Sequence, residues 1–183
     1  MILCDAHCHL YDVENLESEI KKCIEMGFKA ILCVSEDLET MEKTLKIRDK
    51  FGEIIYPGLG IHPAVVSLSP EEEIENAFNF LKNHIKDTFC IGEIGLDFKY
   101  VEQEKDKEKQ YFWLQEQLKL AKDEKKPINL HSRRALRETL KVAIDFHKET
   151  GLNALLHWFT HSKKLIKIAM EKGIYVSAGP SIL

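Results

Sequence analysis

The chain has 183 residues, of which 44% are hydrophobic and 31% are charged. This composition is typical of a globular domain and excludes disordered, collagen-like and coiled-coil chains. With 26 basic and 30 acidic residues the net charge is −4, which argues against the broad basic surface that grips long duplex DNA. We therefore expect a single domain over residues 1–183.

Short β-rich segments alternate with amphipathic stretches from one end of the chain to the other. Four stretches carry apolar residues at helical spacing, and they run from Leu16 to Ile24, Ile74 to Ile85, Tyr111 to Ala121 and Leu136 to Ile144. Gly27 predicts the end of the first helix, and Ser69 to Glu72 predict a capping box at the start of the second. The strands are predicted at about residues 2–8, 30–34, 54–61, 89–93, 127–131, 153–157 and 174–177.

Regular alternation of strand and helix predicts parallel strands joined by crossover helices. Two folds then compete, an open doubly wound sheet and a TIM (β/α)8-type barrel. A nucleotide-binding sheet should have a glycine-rich turn after its first strand, whereas the segment from His7 to Asp12 contains no glycine. The sequence therefore favours the barrel, with seven of its eight strands identified.

Histidines and one carboxylate gather at the predicted carboxyl ends of these strands. His7 and His9 close the first strand with side chains on the same face, because residues two apart in a strand point the same way. In a barrel the carboxyl ends of all strands meet at one mouth, where barrel enzymes carry their chemistry. The third to sixth predicted strands each end with one further member of the set. These residues are His62, Glu93, His131 and His157.

Metal ligation explains these placements together, and the number of ligands indicates two divalent ions. Imidazole suits zinc and manganese, among other ions, while a carboxylate can bridge two ions. We expect His7 and His9 to hold one ion, and His131 and His157 to hold the other, with Glu93 as the bridge. A pair of such ions activates water for hydrolysis, most naturally of a phosphoester.

The arginines point to an anionic substrate. The chain has only four, and three of them lie just after His131. Ser132 reads as a helix N-cap, which would place Arg133 and Arg134 in a first helical turn, where cations oppose the helix dipole. A bound phosphate would resolve that conflict, since both arginine and helix N-termini bind phosphate.

Five segments in this order resemble the TatD family of metal-dependent hydrolases, within the amidohydrolase-like TIM barrels. The resemblance covers the whole chain, and its most specific segment is the fourth-strand motif that contains Glu93. The segments are Asp5-Ala6-His7-Cys8-His9, Gly60-Ile61-His62-Pro63, Gly92-Glu93-Ile94-Gly95-Leu96-Asp97, His131-Ser132-Arg133 and His157-Trp158-Phe159.

The resemblance implies a divalent-metal deoxyribonuclease that trims DNA, typically from a 3′ end. It implies that the substrate phosphate lies near His62 and Arg133, and that a water between the metals attacks phosphorus while catalytic Glu93 bridges them. The physiological ions would be zinc, magnesium or manganese. The metal ligands it implies are His7, His9, Glu93, His131 and His157.

The sequence departs from the family pattern in two places. Trp158 stands where the family usually has a small residue or cysteine, so we expect a bulkier rim. The family's eighth strand, with an aspartate near the first metal, has no match in these 183 residues, and we assign that aspartate to no residue. We interpret His161 as a helix-start residue and not as a ligand.

Three functions remain open at this point. The leading one is hydrolysis of phosphodiester bonds, with DNA ends or another phosphoester as substrate. The alternatives are an amidohydrolase-like enzyme that acts on an amide or lactone, and an inactive, truncated paralogue that binds metal. Strand edges left by a missing eighth strand would favour oligomers.

The expected location is the cytoplasm, without a membrane partner. No apolar run approaches the roughly 20 residues of a membrane span, and the amino terminus has no signal-peptide pattern. Five cysteines, an odd number, fit reduced thiols.

Overall fold

The computed structural model describes residues 2–159 and 163–179. Thr160 to Ser162 lie outside these ranges, and the interpretation of His161 therefore stays a prediction. Within the described ranges, none of the helices has the length and hydropathy that crossing a membrane requires.

Seven parallel strands form a curled half-barrel, and each strand pairs with the next along the chain. This confirms the TIM-type α/β fold and all seven predicted strand positions. The fourth and fifth strands are longer than predicted and continue to Asp97 and Arg133, so His131 does not end its strand. The strands are β1 (Leu3–Cys8), β2 (Phe28–Val34), β3 (Ile55–Leu59), β4 (Cys90–Asp97), β5 (Ile128–Arg133), β6 (Ala154–Leu156) and β7 (Tyr175–Val176).

The four predicted helices are confirmed, and the described part of the chain holds three further α-helices. The predicted ones are α1, α4, α5 and α6, and their predicted apolar positions are buried or half-buried except for Ile24 of α1, which is exposed. In chain order the helices are α1 (Leu16–Glu25), α2 (Leu38–Phe51), α3 (Pro63–Leu68), α4 (Glu71–Asn83), α5 (Glu104–Asp123), α6 (Leu136–Thr150) and α7 (Lys163–Glu171).

The predicted capping box at the start of α4 is wrong. Ser69 follows the last residue of the short helix α3, and Pro70 takes the N-cap position of α4 without a side-chain hydrogen bond. Three consecutive glutamates from Glu71 onward occupy the first turn, where negative charge stabilises a helix through its dipole. Charge at the helix start therefore replaces the expected cap.

The predicted start of α6 is also wrong. Strand β5 continues through Ser132 to Arg133, because both residues pair with β4. Arg134 then adopts a left-handed backbone with φ of +56°, and α6 begins two residues later. Arg133 therefore extends from a strand end and not from a helical turn, and its charge does not oppose a helix dipole.

Most of the apolar core lies between β3 to β7 and the helices that cover them. Leu59, Ile91, Ile94, Leu130 and Leu156 are fully buried there. A smaller cluster fills the space under α1, and Cys8 packs against it as a thiol that points away from the site. This packing fixes the strands, so the mouth formed by their carboxyl ends is a rigid support for polar side chains.

Candidate metal centre

The buried carboxylate of Glu93 is the centre of the site. Only 2% of this residue is exposed, and five histidine side chains lie around it. Glu93 lies in the middle of β4, next to a shift in the pairing with β5 between Ile91 and Ile94. The prediction that Glu93 ends its strand is therefore wrong, because that position belongs to Asp97.

Two histidines from the first strand face one oxygen of this carboxylate. The Nε2 atoms of His7 and His9 each lie 3.4 Å from Oε2 of Glu93. They are also 3.2 Å from each other. The i and i+2 spacing thus brings both imidazoles to one point, as the sequence predicted.

The other carboxylate oxygen of Glu93 faces histidines from the later strands. His131 approaches Oε1 with Nδ1 at 2.7 Å, and His157 approaches it with Nε2 at 2.5 Å. His62 Nε2 is farther away, at 3.6 Å. All the predicted ligand side chains therefore come together in two groups on opposite carboxylate oxygens, although their role as ligands stays a prediction.

Hydrogen bonds at the Nδ1 atoms of two rings orient their Nε2 atoms toward the centre. Asn129 donates through Nδ2 to the Ala6 carbonyl, so its Oδ1 is the acceptor 3.0 Å from His7 Nδ1. His9 Nδ1 lies 2.6 Å from the Tyr11 hydroxyl, which in turn donates to Glu36. Both Nδ1 atoms are thus donors, so the Nε2 atom of each ring is the one that faces Glu93.

The hydrogen-bond partner of His131 is an acceptor, whereas the partner of His62 is a donor. Asp97 is 1% exposed, and its Oδ2 accepts from His131 Nε2 at 3.2 Å, which leaves Nδ1 to face Glu93. His62 Nδ1 instead accepts from the backbone N–H of Ala64 at 3.0 Å. A neutral His62 therefore carries its proton on Nε2, and it points a donor, not a lone pair, into the site.

Burial and hydrogen bonding shift the pKa values of the groups in the site in different directions. Burial alone would raise the pKa of Glu93, but hydrogen bonds from His131, His157, His7 and His9 hold it well below its ordinary value. Burial lowers the pKa of His62 to about 4. Burial also opposes the charged form of His131, yet its hydrogen bonds to Asp97 and Glu93 raise its pKa to about 9.

The donor set fits one or two divalent ions. Imidazole nitrogens from His7, His9 and His131 converge on a buried carboxylate, and once deprotonated such nitrogen and oxygen ligands suit zinc, manganese and related ions. Second partners on the far ring nitrogens are a regular feature of histidines that bind metals. His7, Glu93 and His157 offer ligand atoms within 4.8 Å of one another. The corresponding atoms of His62, Glu93 and His131 are equally close, but the proton on His62 Nε2 makes that nitrogen a donor.

A cavity of about 360 Å³ opens above this cluster at the mouth of the half-barrel. Arg133 is exposed and lines this cavity, as do Tyr100 and Trp158. Among residues 2–159 and 163–179, Arg133 has no salt-bridge partner, so its guanidinium is available to an anion. The cavity thus places a cation and two aromatic rings next to the buried ligands.

Sequence reasoning missed three residues that hold the rings, namely Tyr11, Asn129 and Asp97. Two of them carried a usable signal, because Asn129 lies two residues before His131 on the same face of β5, and Asp97 stands at the true end of β4. Tyr11 lies in a short 3₁₀ helix after β1, where spacing alone does not indicate its contact with His9.

A half-barrel of parallel strands with a buried histidine and carboxylate cluster at its mouth defines a metallohydrolase-like TIM fold. Within this class, the model of the TatD-related DNase family matches residues 4–183. The chain belongs to this family, and the predicted resemblance is confirmed.

The curated relatives that this chain resembles are consistent with its assignment to this family. The chain is 32% identical to the uncharacterized metal-dependent hydrolase BU355 of Buchnera aphidicola, over 97% of this chain and 69% of that protein. It is 29% identical to the deoxyribonuclease TATDN3 of Homo sapiens, over 99% of this chain and 69% of that protein. Across these and further curated relatives the chain spans 64 to 70% of their lengths, about two thirds.

Solved structures support the fold. The crystal structure of YjjV, a TatD homologue from Escherichia coli, matches with a TM-score of 0.76 at 24% identity, over 98% of this chain and 69% of that one. A TatD-family hydrolase from Entamoeba histolytica matches with a TM-score of 0.79 at 18% identity, over 96% of this chain and 64% of that one.

Proposed function

We propose that this chain hydrolyses phosphodiester bonds with divalent metal ions, and that its substrates are DNA ends. One observation carries the proposal: His7 and His9 face one oxygen of buried Glu93, while His131 and His157 face the other. This division suits a carboxylate that bridges two ions. Divalent ions held there would activate water and stabilise the charge that develops on a phosphate.

Three residues of the chain have separate roles in binding the ions and the substrate. Glu93 is ionised and buried, so it supplies the negative charge that attracts the ions and holds the imidazoles in place. His62 directs its Nε2–H into the cavity and can donate to a phosphate oxygen. Arg133 lies on the cavity wall, where a guanidinium can pair with a second phosphate oxygen.

The same residues favour a phosphodiester over an amide or lactone. An exposed Arg133 on the cavity wall and a neutral donor at His62 match a negatively charged substrate. A neutral amide would leave the arginine without a partner. The names of relatives such as human deoxyribonuclease TATDN3 support DNA as the polymer, and trimming from the 3′ end is the direction that the family resemblance implies.

Nuclease assays with defined ends test the proposal. Single-stranded DNA labelled at the 5′ end should shorten stepwise from the 3′ end when Mg²⁺ or Mn²⁺ is added, and a chelator should stop the reaction. His131→Ala should lower both the bound metal, measured by elemental analysis, and the rate. His84→Ala changes a half-buried histidine at the end of α4, outside the site, and should match the parent protein.

Different outcomes would identify the competing functions. Hydrolysis of carboxylic esters or lactones without any cleavage of DNA would favour the amidohydrolase-like alternative. A folded chain that binds metal but turns over neither substrate would favour an inactive paralogue. A chain that binds no divalent ion, or binds it equally well after His131→Ala, would contradict the site itself.

A further inference from the structure

Trp158 is an exposed aromatic residue at the mouth of the cavity, and nothing in the metal centre requires it. It directly follows His157, and the centroids of the two rings are 5.7 Å apart. The residue is 56% exposed, although an indole is among the side chains that gain most from burial. A large apolar surface therefore faces the space above the buried ligands.

The backbone around Trp158 holds this ring in an uncommon position. Its φ of +48° lies in the left-handed region, which bulky residues rarely adopt. The Trp158 N–H donates to the Ser177 hydroxyl at 3.2 Å, and the Phe159 N–H donates to the Ser177 carbonyl at 2.8 Å. Strained conformations of this kind gather at ligand sites.

Two neighbours hold the Trp158 ring in place: Gly179 packs against it, and Phe159 fixes the backbone next to it. A Cβ atom on Gly179 would lie 2.9 Å from Trp158 Cγ, so only the bare glycine backbone fits against the indole. Phe159, the next residue, is buried in the main core and anchors the segment there. Phe159 therefore packs into the core, whereas the side chain of Trp158 is free to contact a ligand.

We propose that Trp158 is the platform on which the nucleobase next to the cleaved phosphate stacks. This rests on the proposed function, and it names a recognition element for it. A phosphate held between Arg133 and the ligands around Glu93 would place the attached nucleoside at the cavity wall, to which Trp158 contributes an exposed ring. Stacking on an aromatic ring is tolerant of sequence, because every base has a π-face.

Tryptophan fluorescence tests this contact directly. The chain has two tryptophans, and Trp113 is 4% exposed, so Trp113→Phe leaves Trp158 as a single reporter. The metal-loaded variant is titrated with a short oligothymidylate that has phosphorothioate linkages at its 3′ end to slow hydrolysis. The matched ligand lacks the bases of its last two nucleotides. We expect quenching by the first ligand and weaker binding, by about 5- to 150-fold, of the second.

Kinetics separate a stacking role from a structural one. In the parent protein the KM for an abasic 3′ end should exceed the KM for a normal end, and in Trp158→Ala this ratio should fall close to one. Trp158→Phe keeps an aromatic face and should retain most of the ratio. Phe112→Ala removes another aromatic residue that is 56% exposed, on α5, and should leave the ratio at the parent value.

Three results would overturn the proposal. The first is equal quenching of Trp158 fluorescence by the two ligands. The second is an unchanged KM ratio in Trp158→Ala. The third is an equal loss of activity on both substrates in Trp158→Ala, together with a lowered melting temperature. If neither substrate is cleaved at all, the proposed function fails, and the fluorescence titration alone then decides whether Trp158 stacks on bases.

Discussion

The Nε2 atom of His131 lies 3.2 Å from Oδ2 of Asp97, on the side of the imidazole opposite Glu93. The two carboxylates therefore hold one ring between them, one on each nitrogen. A carboxylate behind a metal-binding histidine fixes the ring's tautomer and orientation and increases its basicity as a ligand. Asp97 is thus a positioning residue for the metal centre that we propose.

Asp97→Asn should weaken divalent ion binding by about 10- to 100-fold, the usual effect of losing such a partner. An amide cannot supply the negative charge that holds His131, even if it keeps the hydrogen bond from the Lys99 N–H. Competition with a fluorescent chelator measures the affinity. Asp145→Asn breaks an exposed ion pair with Lys141 and serves as the control. Equal affinities in the two variants would remove Asp97 from the site.

The sequence predicted the elements of this fold better than the contacts within its site. Apolar periodicity decides which face of a strand or helix is buried, so the strand positions and the convergence of His7 and His131 could be predicted. The partner of His7 could not, because Asn129 lies 122 residues away and the contact depends on strand register. Arg133 was misplaced because Ser132 looked like a helix cap, whereas pairing with β4 keeps it in a strand.

Tyr11→Phe tests the chain of hydrogen bonds behind His9. Without the hydroxyl, His9 Nδ1 loses its acceptor and Glu36 loses a donor, so the ring is free to take the other tautomer. We expect a several-fold loss of divalent ion affinity and about 1 kcal/mol less stability. Calorimetric titration and denaturant unfolding measure the two effects. Tyr56→Phe, in β3 and outside the cavity, should change neither by a comparable amount.

The chelated protein should lose stability as the pH rises above neutrality. Burial opposes protonation of His131, but its hydrogen bonds to Asp97 and Glu93 raise the pKa from 6.5 to about 9. A raised pKa in the folded state stabilises the protein fully below the unfolded pKa of 6.5, and this contribution disappears as pH rises through about 9.

Denaturant unfolding between pH 6 and pH 9.5 in the presence of a chelator measures this dependence. Asp97→Asn removes one of the two carboxylates that retain the proton, so its stability should fall less steeply over the same interval. Asp145→Asn should keep the parent slope, since its carboxylate is exposed and remote from His131. A parent protein whose stability is flat across this interval would contradict the assigned charge of His131.

Gly95→Ala should both destabilise the fold and damage the metal centre. Gly95 pairs with His131 across β4 and β5, and its φ is +145°. A Cβ atom there would lie 2.1 Å from the His131 carbonyl oxygen, so β5 would have to move away and take the imidazole with it. Overpacking of this kind costs about 1–3 kcal/mol or more, in addition to the backbone strain.

Gly151→Ala separates the steric clash from the backbone strain. Gly151 ends α6 with a φ of +70°, and a Cβ atom there would meet nothing within 4 Å. It should therefore cost only about 1 kcal/mol and leave divalent ion affinity unchanged. Thermal unfolding and chelator competition on both variants make the comparison. If the two substitutions lowered stability and ion affinity equally, the close approach of β4 and β5 at Gly95 would not be what places His131 beside Glu93.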